Sequence, residues 1–431
     1  MKEVFQSWGL IKQEMEKLAD GINLAQECKN LICFGSGRSY GDVALKREGM
    51  VIQTKTFTEI YALDESLGIV HCDSGVTLDS LLKFIVPKGF FIPVSPGTKF
   101  VTIGGAIANN IHGKNHHKTG SWGDFVISFD LHRSNGEIIN CSPSQNADYF
   151  SATIGGIGMT GIIRNVKIKV MPIESSYIDV EKITFSNLEE YILLNHNSLL
   201  NHAYTVAWFD ASYMVKNGGQ LRGTFMQGNH SSNGGFVIHP KPLFNIPFSL
   251  PNFMTSKFIF DILNILYFWK EHFISGHHHE HYNTFFYPLD FLGNWNRGYG
   301  KNGFYQYQPI VPHANFKEFI KKIAAILKSY RQTSFVSVLK TMGDSSGHGH
   351  ISFSRPGITI CLDFKNNGAT TKDMMMQLNA LTEASQGVVN PSKDAFMNRQ
   401  QFLNLFQKSV DDYFRLKDPG FSSDFIKRVT T

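Results

Sequence analysis

Residues 96–123 read PGTKFVTIGGAIANNIHGKNHHKTGSWG. Gly97, Gly104, Gly105, Gly113, Gly120 and Gly123 fall inside this stretch, with small residues between them and His112, His116 and His117 flanking Lys114. Glycine lets backbone approach a ligand closely and adopt conformations closed to other residues. Successive free N–H groups in such a turn make an anion-binding concavity. The stretch therefore reads as a loop laid against a phosphate-bearing cofactor, with ionisable side chains beside it.

A second loop of the same kind lies upstream. The apolar strand LICF (31–34) runs into GSGRSYGD (35–42), where three glycines, Arg38 and Ser39 can wrap a pyrophosphate. Alone, this segment reads equally as a tight turn. Two such loops flanking one core imply an extended, doubly charged ligand. The literal GxGxxG at Gly156–Gly161 is not a dinucleotide fingerprint, because that motif must follow a strand and open a helix. Here a helical pattern (147–153) precedes it and an alternating strand, IIRNVKIKV, follows at 162–170.

The 431 residues suffice for two domains with separate cores. Hydrophobic content of 42% and charged content of 18% fit a globular chain. The net charge of +5 comes from scattered Lys and Arg with no basic stripe, which argues against nucleic acid and suits weak attraction to an anionic membrane. Five cysteines, Cys28, Cys33, Cys72, Cys141 and Cys361, show no CxxC pair or zinc spacing, so reduced thiols in a cytosol-facing protein are expected. The first 20 residues lack the apolar core of a signal peptide, and no run of 18 apolar residues occurs. The expected location is cytoplasmic or peripheral on the inner membrane.

Strands are expected at 51–54, 69–73 and 91–94, and a Thr77-capped helix through Val86 that Gly89 stops. Further strands are expected at 177–185, 204–210, 335–340 and 358–364. Helices are expected at 315–329, 372–385 and 399–415. GHHHEH (276–281) has no second ligand cluster to complete a tetrahedral site, so it reads as an exposed polar loop tip rather than a metal centre. Residues 242–274 are dense in Phe, Leu and Ile and flanked by Lys241, Lys257 and Lys270. They read either as core or as an interfacial surface for a lipid tail or bilayer.

GSGRSYGD, the 96–123 loop and GGIGMTGII (155–163) together resemble the flavin domain of the vanillyl-alcohol-oxidase superfamily, with its PCMH-type FAD fold. Within that superfamily the chain is most similar to the oxidases of polyprenylphosphoryl-ribose. AWFDA (207–211), YPLD (287–290), GNWNRGYG (293–300), GFYQYQ (303–308), CLDF (361–364), SKD (392–394) and RLKDPGFSSDF (415–425) have counterparts in order. The resemblance weakens between about 212 and 282. It implies an α+β fold, with a two-part FAD-binding domain at 1–174 and an α+β substrate domain on an antiparallel sheet at 175–387. A C-terminal return, 388–431, would pack on the first domain. It implies oxidation of the 2′-hydroxyl of a polyprenylphosphoryl-β-D-ribose to the 2′-keto intermediate. An NADH-dependent keto-reductase partner would complete epimerisation to an arabinose donor for the cell envelope, and quinone or dioxygen would reoxidise the flavin.

The same resemblance assigns site residues. Gly35, Ser36, Gly37, Arg38, Ser39, Tyr40 and Gly41 would hold FAD. So would Pro96, Gly97, Thr98, Thr102, Gly104, Gly105, Ala108, Asn109, His112 and Gly113, with Gly158, Gly161 and Ile162. Tyr40 stands where relatives with covalent FAD carry a histidine, so the FAD is expected to be non-covalent. Lys393 matches the active-site lysine, with His112 and Tyr40 as the proton path. Trp208, Tyr287, Gln306, Gln308, Lys340, Cys361 and Lys393 would line the sugar pocket, Cys361 matching a cysteine that nitroaromatic inhibitors attack. Asn390 and Thr359 depart from the prototype, which has Tyr and Asn there. Read without the resemblance, Lys393 is a surface ion-pair partner and Cys361 a buried core thiol. An oxidase of soluble aldonolactones or alditols, or a non-catalytic flavoprotein scaffold, are the competing readings.

Overall fold

The computed structural model describes residues 2–18, 29–242, 244–344, 348–407 and 409–431. Cys28 lies outside the described residues, and Cys33, Cys72, Cys141 and Cys361 are free thiols. The N-terminal half holds two sheets. A mixed four-stranded sheet joins the hairpin Lys2–Gln6/Lys12–Lys17 to the parallel strands Met50–Gln53 and Leu31–Phe34. An antiparallel five-stranded sheet is built from Ile60–Asp64, Ile69–Cys72, Ile162–Lys169, Val126–His132 and Ile138–Cys141. The helix Leu78–Ile85 packs against it. Its apolar positions 78, 81, 82 and 85 are all buried, and the Thr77 side chain accepts from Ser80 N at its start. Gly89, at φ 78°, ends the short 3₁₀ turn that follows, a conformation glycine adopts at little cost.

The second half is organised by a nine-stranded sheet whose long path is entirely antiparallel. Its central strands, Tyr204–Phe209, Ser337–Met342 and Gly357–Lys365, send alternate residues into a core covered by the helices His313–Ser329 and Ala369–Ala384. Leu339, Ile360, Leu362 and Phe364 face that core. Lys340 and Cys361, one residue out of phase, face the other way and are only half-buried. Phe304–Tyr307 pairs beside Gly357–Lys365 and places Gln306 opposite Asp363.

The C-terminal residues return to the strand Leu31–Phe34. Leu31 N donates to Gly420 O and Ser422 N donates to Leu31 O. Arg428 pairs with both Asp42 and Asp394. The expected helix 399–415 is two helices, Arg399–Phe406 and Val410–Leu416, and only Phe90–Phe91 forms a strand at the expected 91–94.

GHHHEH is not a loop tip. Gly276–His281 is the edge strand of the large sheet, paired antiparallel with Tyr177–Lys182. Its polar composition is compatible with an edge, where one flank faces water and charged side chains discourage further pairing. His277 and His279 stand opposite Glu181 and Asp179, and His279 Nδ1 lies 2.9 Å from Asp179 Oδ1. Among the described residues, no group of three His, Cys, Asp or Glu side chains forms a metal site.

Candidate active site

Two glycine loops meet where the first sheet ends. Thr102 caps the short helix Ile103–Ala108 by accepting from Gly105 N, and a Cβ on Gly35 would sit 2.7 Å from Thr102 Oγ1. A Cβ on Gly104 would stand 2.9 Å from Ser74 Cβ. Contact this close is open only to residues without a side chain. Arg38 stacks its guanidinium 3.9 Å over Trp8, and Asn109 donates its amide to Gly105 O. Tyr40 N and Gly41 N both donate to Ser392 O, which fixes the first loop against the SKD turn.

The large sheet supplies the opposing wall. Lys393 Nζ lies 3.6 Å over the Tyr40 ring. Gln306 donates to the Asp363 carboxylate at 2.6 Å, and Tyr299 donates to it at 3.3 Å. Asn390 Nδ2 donates to Gln308 Oε1, which turns the Gln308 amide so that its NH₂ faces His112 Nε2 at 3.0 Å. His112 Nε2 then accepts, and its ring proton sits on Nδ1.

The electrostatics follow from burying like charges together. Burial lowers the Lys393 amine to about 8; Cys361 and Asp363 pull it up and Lys340 pushes it down. Burial also lowers Lys340. His112 is driven well below its usual value by burial and then by Lys340, His116 and Lys393, so it is neutral. Burial raises Asp363 to about 7, against the hydrogen bond from Gln306, the charge of Lys393 and the hydrogen bond from Tyr299. The Cys361 thiol is pushed up to about 12, chiefly by burial, which leaves it protonated and a poor nucleophile at neutral pH. The cluster thus holds a lysine that can lose its proton near neutrality, a neutral histidine and a buried carboxylate. That is the equipment for moving one proton.

The FAD binding domain family matches residues 12–142. Decaprenylphosphoryl-beta-D-ribose oxidase from Mycolicibacterium smegmatis is 34% identical over 418 residues, covering 93% of this chain and 89% of its own. The chain belongs to this oxidase family. D-lactate dehydrogenase of Anaerostipes hadrus is 30% identical over 43% of the chain and 41% of its own length. L-gulonolactone oxidase of Mus musculus is 26% identical over 39% and 38%. The chain is an FAD-dependent oxidoreductase with the α+β fold expected of it.

The loops of this oxidase fit FAD. Arg38 Nε and Asn109 Oδ1 are buried with no protein partner, and a Cβ on Gly97 or Gly158 would meet no protein atom within 4 Å. The backbones at 35–41 and 96–109, with those two polar atoms, would hold it. Since Gly97 does not adopt a left-handed φ, Gly97→Ala should fold normally and weaken FAD binding roughly tenfold or more, as read by flavin titration of the apoprotein. Unchanged FAD affinity would remove Gly97 from the site.

The remaining expected residues have protein contacts of their own. Gly161 is a packing position, where a Cβ would stand 2.6 Å from His132 O, and Ile162 opens the strand paired with His132. Trp208 is buried, donates to Phe335 O and packs on Tyr267. Tyr287 is buried against Ser95, its hydroxyl 2.6 Å from the serine's. Of the other two histidines in the loop, given no role in the site, His116 Nε2 lies 3.1 Å from Ser121 Oγ and His117 Nε2 lies 3.1 Å from His202 O. Asp363 and Tyr299 join the cluster although no residue pattern marks them. Both stand in quoted motifs, but the link from Asp363 to Gln306 spans 57 residues.

Proposed function

We propose that this chain oxidises the 2′-hydroxyl of a polyprenylphosphoryl-β-D-ribose to the 2′-ketone, the first half of an epimerisation at that carbon. The observation that carries this reading is the Lys393 amine, held over Tyr40 between Lys340, Cys361 and Asp363, in a chain alike over nearly its whole length to a decaprenylphosphoryl-ribose oxidase. Bound FAD supplies a two-electron acceptor for the hydride leaving carbon.

The protein's task is the proton and the pose. Lys393 as the free amine accepts the hydroxyl proton while C2′ loses its hydride. Asp363 and Tyr40 hold that amine in place, and Lys340 and Gln306 orient the sugar. His112, neutral and tied to Gln308 and Asn390, positions the pocket wall rather than carrying charge. With no histidine in residues 35–42, the FAD is held without a covalent bond there. The ketone needs a hydride donor to become the epimeric alcohol. A nicotinamide-dependent reductase therefore acts as partner, and a quinone or dioxygen reoxidises the flavin.

Anaerobic mixing tests the reading. Polyprenylphosphoryl-ribose should bleach the flavin absorbance, while free sugar alcohols and lactones should not. Bleaching by a lactone alone would overturn it.

The charges also fix a pH profile. A base that works as a free amine gives a kcat that rises with pH through about 8. Asp363 raises the Lys393 pKa, so Asp363→Asn should lower it and move the rise about one pH unit towards acid. A profile unmoved in that variant would remove Asp363 from the proton machinery.

A further inference from the structure

A cavity of about 400 Å³ lies between residues 348–355 and the turn that joins the helices Arg399–Phe406 and Val410–Leu416. None of its lining residues belongs to the glycine loops or to the Lys393 cluster. Three of them carry a buried polar atom with no protein partner: His350 Nε2, Ser354 Oγ and Arg355 Nε. Buried polar atoms are normally hydrogen-bonded, because one stripped of water and left unpaired costs folding free energy. Water could serve the serine and the histidine. It cannot neutralise the guanidinium.

Arg355 therefore sets the sign of the ligand. Arg133, Arg164, Arg222, Arg415 and Arg428 each pair with an aspartate. Arg355 has no carboxylate against it among the described residues, and the neighbouring positions 345–347 and 408, Ser-Ser-Gly and Lys, bring none. Its own contacts are weak: Nη2 reaches Ser352 O at 3.5 Å, and the guanidinium lies 5.8 Å from the Phe406 ring centroid. Burial lowers its pKa to about 10 and no nearby charge raises it, so it is still a cation at neutral pH. Among the described residues, one other arginine keeps a buried Nε without a partner. It is Arg38, in the glycine loop that fits FAD.

The other walls narrow the ligand further. A guanidinium fork meets two oxygens of an oxyanion, and Ser354 and His350 offer a hydroxyl and an imidazole nitrogen beside it. Donors of that number suit a tetrahedral phosphate better than a planar carboxylate. Leu405 and Phe406 give the cavity an apolar side, and its volume is that of a small-molecule site rather than of a bare ion. One carboxylate, Glu383, touches the wall through the amide of Asn404. The cavity stands close behind the active site: Phe353 packs on His112 with 5.5 Å between ring centroids, and Ser352 Oγ accepts from Asn110 of the second glycine loop.

We propose that this cavity is a second binding site, for an organic phosphate monoester, in which Arg355 grips the phosphate, Ser354 and His350 complete its donors, and the organic part lies against Leu405 and Phe406. The site does not depend on which sugar the enzyme oxidises.

The test is calorimetric titration of the FAD-loaded enzyme, whose cofactor loops are filled, with phenyl phosphate, inorganic phosphate and phenol. Phenyl phosphate should bind wild type, inorganic phosphate more weakly, and phenol not at all. Arg355→Met should weaken phenyl phosphate about tenfold or more, the loss of a bidentate charged contact, and Ser354→Ala about threefold. Lys340→Met should bind it as wild type does. Phenyl phosphate should raise the melting temperature of wild type and leave that of Arg355→Met unmoved. Without ligand, Arg355→Met should melt no lower than wild type, since its guanidinium pairs with no carboxylate; should that variant fail to fold, Ser354→Ala carries the test. Binding lost in Lys340→Met but kept in Arg355→Met or Ser354→Ala puts the anion in the sugar pocket and overturns the proposal. So does a wild type that phenyl phosphate neither binds nor stabilises. Equal affinity for the two phosphates overturns the ester and makes the free ion the ligand.

Discussion

Lys393→Ala lowers kcat by about 10²- to 10⁴-fold and leaves FAD bound, the range expected for removing a positioned general base. The side chain is not needed to fold the turn it sits on. That turn is held through its neighbours: Asp394 accepts from Asn379, from Phe396 N and Met397 N and from Arg428, while Ser392 O accepts from the first glycine loop. Truncation also relieves the burial of an amine next to Lys340, so no stability penalty from a lost ion pair is expected. Lys393→Arg keeps the positive charge but cannot supply a free base near neutral pH, and should stay close to the alanine variant. Added methylamine should restore part of the alanine variant's rate and little of the arginine variant's. Stopped-flow flavin bleaching measures all three. A rate for Lys393→Ala within a few-fold of wild type would exclude Lys393 as the base.

The residues that meet in this cluster differ in how far the sequence exposes them. The glycine loops are visible because each glycine answers a local demand for close approach, and a strand feeds the first of them. The strand at 177–185 announces itself by alternation, the strand at 357–365 by a short apolar run, and the helix at 78–85 by its cap and buried stripe. Asp363 does not, because its meaning lies in cross-strand register: only pairing with Phe304–Tyr307 puts Gln306 opposite it. The N-terminal hairpin is equally silent, since each of its strands buries a single residue, Phe5 and Met15, and leaves no alternation to read. Apolar density in 242–274 is plain in the sequence, but which side of the helix Lys257–Phe273 faces water is decided by partners of its buried Asn264, Ser212 and Ser334, far away along the chain. The histidines of 276–281 misled for a related reason. Strand pairing on an edge is a backbone property, and side chains that dislike a core do not forbid it.

Gly41→Ala should cost more than any other single methyl group added to the loops. A Cβ there would stand 1.8 Å from Asp394 O and 2.7 Å from its carbonyl carbon. Gly41 does not sit in the left-handed region, so the obstacle is the close approach alone and not backbone strain. Neither side can yield cheaply. Asp394 is buried and bound by four donors, and Arg428 also grips Asp42, the next residue of the loop. The two loops must separate, which breaks the Tyr40 and Gly41 N–H bonds to Ser392 O and carries the Tyr40 ring away from Lys393. Overpacking of this kind destabilises by about 1–3 kcal/mol or more. A displacement of roughly 1 Å at the reacting groups lowers turnover about 10²-fold. Denaturant unfolding and flavin titration of Gly41→Ala beside Gly97→Ala separate the causes. The first should lose stability, FAD affinity and turnover together, the second FAD affinity alone. A Gly41→Ala enzyme with wild-type stability and kcat would mean that the SKD turn does not bear on the first glycine loop as closely as the structure has it, and Lys393 would lose its anchor over Tyr40.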